Sequence, residues 1–79
     1  MWETDEERRA RLAASAYIVK RAVDTAVAAE IEMTSPDCQN RQYEAGKIDA
    51  CVAILKVIRP EIDWLADIRM AAIVEKSAL

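Results

Sequence analysis

The sequence predicts an all-α fold: a long helical hairpin and a C-terminal third helix, one domain over residues 1–79, assembled as an oligomeric bundle. Three observations lead there. The chain has one glycine and two prolines, too few to punctuate a set of short strands. Its runs of Ala, Glu, Arg and Leu are rich in residues that lose little freedom in a helix. Its apolar residues recur three and four apart, the period of a helix with one buried face. With 53% hydrophobic and 32% charged residues, it is too apolar for a disordered chain and too charged for a membrane span. A chain this small buries only about 60% of its unfolded surface, so cover from a second copy or another protein is expected.

The first helix is expected to start at Thr4, whose hydroxyl caps open backbone amides while Glu7 reaches back and Asp5 and Glu6 sit at the positive end of the dipole. Its stripe runs Leu12, Ala16, Val19, Val23, Ala26, Glu30 and Met33, widened by Ile18, Val27 and Ile31. Lys20, Arg21 and Asp24 fall outside it. From Thr4 to Met33 such a helix spans about 45 Å.

Thr34-Ser35-Pro36-Asp37 is the strongest punctuation. Ser35 suits an N-cap, Pro36 the first helical position and Asp37 the first turn, so a second helix is expected from Pro36, antiparallel to the first. Tyr43, Gly46, Ala50, Ala53 and Val57 fall on one face of it, and Ala45, Ile48, Val52 and Leu55 on an adjacent one, with Cys51, Ile54 and Ile58 between. Two faces seek burial. Gly46 costs about 1 kcal/mol relative to alanine inside a helix, and the small row it makes with Ala50 and Ala53 lets another backbone approach closely. The apolar run from Ala50 to Leu55 belongs to a helix surrounded on most sides, more than three helices of one chain provide.

Pro60 ends or kinks that helix, because it has no N–H to donate and disfavours helical geometry at Arg59. A third helix is expected from Pro60, with Ile62, Leu65, Ile68 and Ala72 along one side and Trp64, Met70, Ile73 and Val74 spread around the rest. The expected subunit interface is therefore Tyr43, Gly46, Ala50, Ala53 and Val57 of the second helix with Trp64 and Ile68 of the third. Trp2 and Trp64 are each readable as a partner's anchor or as ordinary core.

The chemistry open to the chain is narrow. It has no histidine, and Cys38 and Cys51, placed on one helix 13 residues apart, stand about 20 Å from each other, too far to bridge. Reduced thiols fit a reducing compartment, and a cytoplasmic location is expected. Zinc clusters and histidine-activated nucleophiles are absent, no cofactor is implied, and a non-enzymatic role is expected. Cys38 draws interest only as a thiol in the first turn of a helix, where the dipole lowers a thiol pKa; Cys51, in an apolar run, reads as a small hydrophobe. Asp63 and Asp67, one turn apart, have a spacing that suits acid–base work or a metal, but read better as a solvated face. Arg8, Arg9 and Arg11 form the one basic cluster, joined a few turns later by Lys20 and Arg21, and suit a phosphate grip, but they read better as intrahelical partners, Asp5 with Arg9 and Glu7 with Arg11 four residues apart, at about 0.3–0.5 kcal/mol each. A net charge of −3 argues against nucleic acid as a direct ligand. No run approaches the roughly 20 apolar residues of a membrane span, and the acidic first residues are unlike a signal peptide.

Pro36-Asp37, the basic Arg41, Lys47-Ile48-Asp49 and the small-residue row together resemble part of the small helical phage proteins of the anti-CBASS kind. The resemblance spans residues 36–55. Those proteins sequester cyclic dinucleotides as symmetric oligomers, and in size, acidity and helix content the chain is also similar to helical anti-CRISPRs. The resemblance implies a host-directed inhibitor that binds a defence or nucleic-acid-handling complex, or an oligomeric sponge for a nucleotide second messenger. In the sponge reading Lys20, Arg21, Arg41 and Lys47 line the anion site. A structural role in an assembly is the third expectation.

Overall fold

Thr4 closes the start of the first helix, α1 (Asp5–Met33), as its sequence requires: its hydroxyl accepts the Glu7 N–H at 3.1 Å from an extended backbone. The computed structural model describes residues 2–78, and among them α1 is followed by α2 (Arg41–Ile58) and α3 (Trp64–Ala78), with no strand. No helix of the described residues is long and apolar enough to cross a membrane.

The helices run up, down and up. α1 packs most extensively on α2, less on α3, and α2 meets α3 only sparsely. α3 is parallel to α1: Trp64 shares a groove with Ser15 and Val19 at one end, and at the other the Lys76 ammonium donates to the Thr34 hydroxyl. The core lies where the three meet, built from Ala22, Ala26 and Val27 of α1, Cys51 and Leu55 of α2, and Trp64, Ile68 and Ala72 of α3. Alanines on α1 bring both neighbours close, and Leu55 and Ile68, the largest fully buried side chains, each contribute about 1.5–3 kcal/mol by leaving water.

Both later helices start further along than the sequence suggests. Ser35-Pro36-Asp37-Cys38 is an isolated turn, closed by the Cys38 N–H donating to the Ser35 carbonyl at 3.2 Å, and α2 starts only after Asn40. The reason is local: serine then proline suits the first turn of a helix and a single turn equally, and Cys38, Gln39 and Asn40 offer no side chain that the core takes up. Pro60 likewise opens a turn, with the Ile62 N–H on the Arg59 carbonyl at 3.4 Å, and α3 waits for Asp63, whose Oδ1 accepts the Ala66 N–H at 3.3 Å. Because α2 starts late, Cys38 lies in the loop, half-buried, and not at a helix terminus.

The N-terminal part of α1 stands beyond the bundle. Every residue from Trp2 to Ala14 is exposed, including Leu12, because α2 ends at Ile58 and neither partner helix reaches further. The molecule is accordingly elongated, 53 × 26 × 19 Å. The expected pairs of Glu7 with Arg11 and Asp5 with Arg9 do not form. Instead Glu3, just ahead of the helix, receives Arg11 through two bonds of 2.9 and 3.2 Å. That hydrogen bonding holds the Glu3 carboxyl below its usual range.

Candidate interaction surface

α2 turns Glu44, Ile48, Cys51 and Leu55 inward. At 100° per residue, the direction opposite to these is occupied by Gly46, Ala50, Ala53 and Val57, all exposed. This outermost row holds no charged side chain. Tyr43 and Ile54 border it on the α1 side, and Val57 and Tyr43 are 84% and 66% exposed. A methyl group built on Gly46 meets nothing within 4 Å, and the backbone there has no positive φ. Within one chain, then, neither crowding nor backbone geometry calls for a glycine at this position.

Charged residues stand only at the borders of the row. On the α1 side the Lys47 ammonium bonds the largely buried Glu44 carboxylate at 3.3 Å and sits 4.8 Å from the centre of the Tyr43 ring, which fixes Tyr43 at the rim. The α3 side carries Asp49 and Lys56, two turns apart, both exposed along a groove shared with Val52, Ala53, Leu65 and the α3 cap Asp63. A second groove of about 320 Å³ runs between α1 and α2 and is floored by Ala22 and Cys51, with Tyr17, Ile18, Arg21 and Ile54 as walls. Burial pushes the Cys51 thiol up, against a smaller opposite pull from Lys47.

Two residues expected at the interface belong to the core instead. Trp64 is 8% exposed and Ile68 is fully buried. The turn at Pro60 folds the indole back so that its N–H donates to the Arg59 carbonyl at 3.0 Å, and Ile68 and Ala72 follow it on the side facing α1. The open apolar face of α3 is Met70, Ile73 and Val74. Trp2 is 96% exposed.

The four basic residues are not gathered in one chain. Lys20 and Arg21 are exposed on α1, and Arg21 lies beside Cys51 and Ile54. Arg41 starts α2 in a shallow basin with Cys38 and Tyr43, ten residues or about 15 Å along the helix from Cys51. Lys47 is engaged by Glu44. Asp63 is used as the α3 cap, and among the described residues no group of three or more His, Cys, Asp or Glu side chains is placed to hold a metal ion.

α1 also buries an acid, one whose position periodicity alone marks only as part of the apolar stripe. Glu30 is 8% exposed, and its Oε2 has no hydrogen-bond partner. It faces a cavity of about 110 Å³ together with Ala45, Ile48, Asp49, Leu65 and Arg69. The signal was present in the sequence, since Glu30 is the one charged member of the apolar stripe of α1. Comparison with protein-family models, with curated proteins and with solved structures finds no match to this chain.

Proposed function

We propose that this chain is a non-enzymatic interaction module that works in the cytoplasm as a homodimer or higher oligomer, with the outer row of α2 as its contact surface. The observation that carries this reading is the row itself: a glycine and two alanines between Tyr43 and Val57, uncharged, exposed and diametrically opposite the core. A helix in water gains by placing charge there, and glycine weakens it. Both features are accounted for when a second helix lies along the row, because small side chains let two backbones approach and large ones at the rim then bury against the partner. The phage resemblance extends the reading to an inhibitor that, once assembled, occupies a site on a larger host complex.

The test uses the open space at Gly46. Leucine fits there without disturbing the chain's own packing, so Gly46→Leu leaves helicity and the folded monomer intact while it obstructs the contact. Sedimentation equilibrium is expected to give a dimer or larger species for the native chain and a monomer for the variant. A native chain that stays monomeric across micromolar to millimolar concentration ends this reading, as does a variant that assembles unchanged. The inhibitor extension is tested separately, by fixed-stoichiometry binding of the assembled protein to purified defence or nucleic-acid-handling complexes, and failure with all of them removes it.

A further inference from the structure

The borders of the α2 row specify how a second copy lies on it. We infer that two copies pack α2 antiparallel about a two-fold axis passing between Ala50 and Ala53, with Asp49 of each subunit paired to the partner subunit's Lys56. This rests on the proposed self-association through the same row and adds its direction and register.

Two facts about antiparallel helix pairs drive the inference. A two-fold contact is isologous, so whatever one copy presents must complement itself. In antiparallel packing each border also meets the same border of the other helix, unlike parallel packing, where opposite borders meet. The α3-side border of α2 carries Asp49 and Lys56, opposite charges two turns apart and both exposed. Such a border complements itself when the helices run antiparallel and the axis falls midway between the two charges. The outer row then falls into layers without adjustment. Ala50 lies against the partner subunit's Ala53, and Gly46 receives the partner subunit's Val57, a side chain 84% exposed in the single chain. On the other border the stem of Lys47, already tied to Glu44, runs along the partner subunit's Ile54.

Neighbouring registers are disfavoured by the same charges. Sliding one helix by two turns one way sets Asp49 on the partner subunit's Asp49 and Lys47 on the partner subunit's Lys47. Sliding it the other way sets Lys56 on the partner subunit's Lys56 and carries Asp49 past the end of the partner subunit's α2 at Ile58, unpaired. Parallel packing puts Asp49 against the apolar Ile54 of the partner subunit and leaves its charge unpaired. One arrangement therefore has two Asp49–Lys56 attractions, one on either side of the axis, and its competitors have repulsion or a lone carboxylate.

Charge exchange tests it, since Asp49 and Lys56 are exposed and neither is part of the chain's core. Asp49→Lys and Lys56→Asp each replace two attractions by two repulsions and are expected to weaken the dimer about tenfold at low salt, less at high salt. The double exchange, Asp49→Lys with Lys56→Asp, is expected to return the dissociation constant to within about threefold of the native value, because the pairs re-form with their signs reversed. Sedimentation and circular dichroism on the same samples separate association from folding. Single variants that dimerise as the native chain does, or a double variant no better than the singles, overturn the register while the Gly46→Leu result still stands for the surface. A native chain without any dimer overturns both.

Discussion

Glu30 shows how a single residue sets a stability cost in this fold. Its Oε2 is out of water and without a partner at the junction of the three helices, where leaving a polar group unpaired costs about 1–3 kcal/mol. Replacing Glu30 with methionine, which fills similar volume without the carboxyl group, is expected to raise the urea midpoint, and a lowered midpoint would show the carboxyl group to be satisfied in solution, with Arg69, which lines the same cavity, as the candidate partner. Cys51 gives a pH dependence of definite sign. Burial raises its folded-state pKa above the ordinary 9.0, so its contribution is fully present below that value and is lost as pH rises through the folded pKa, the unfolded chain releasing its proton first. Melting temperature is expected to fall on the alkaline side of pH 9, and Cys51→Ala to flatten that fall. Thiol labelling at neutral pH is expected at Cys38 well before Cys51. Both residues were partly legible in the sequence. The apolar run around Cys51 marks it as core, whereas the placement of Cys38 depended on a helix start that the chain does not use.

At the scale of the elements, the three helices and their order follow from periodicity and punctuation, but two of the three starts do not. Ser35-Pro36 and Arg59-Pro60 fix φ and remove a donor, conditions shared by a helix's first turn and a lone turn, and what decides between them is whether the next residues find a core. Asp63 is the residue that resolves the second case: a capping carboxylate three positions beyond the proline. α1 teaches the converse. Its period continues through Leu12, yet its first turns bury nothing, because periodicity records a face and not the length of the neighbour that covers it. An isolated helix this short is marginal in water, so amides of residues 5–14 are expected to exchange hydrogen much faster than those of residues 19–30. Deleting residues 2–11 is expected to lower helical content while changing bundle stability by no more than about 0.5 kcal/mol. Equal protection along α1 would show that something covers the N-terminal turns.

For the whole molecule, the division between a chain's own core and the part left for others is where sequence reading failed. Trp64 and Ile68 share their helix with Met70, Ile73 and Val74, and nothing in the spacing says which set α1 will take. The structure gives Ile68 to the core, and Ile68→Ala is expected to cost about 2–5 kcal/mol in equilibrium unfolding, a large part of the roughly 5–15 kcal/mol that holds a domain together. Gly46→Ala is expected to act oppositely on the two levels of structure, stabilising the isolated chain by about 1 kcal/mol through helix preference while weakening any contact that needs the missing methyl. Concentration-dependent melting separates the two effects.

The two tryptophans described above occupy opposite extremes, one buried against the Arg59 carbonyl and one in solvent ahead of α1. The protein thus carries a built-in pair of optical reporters. Replacing Trp2 with phenylalanine leaves an emission that tracks unfolding alone, shifting red as the indole meets water. Replacing Trp64 instead leaves a lamp at the tip of the molecule, silent to the core and responsive only to whatever comes to rest there.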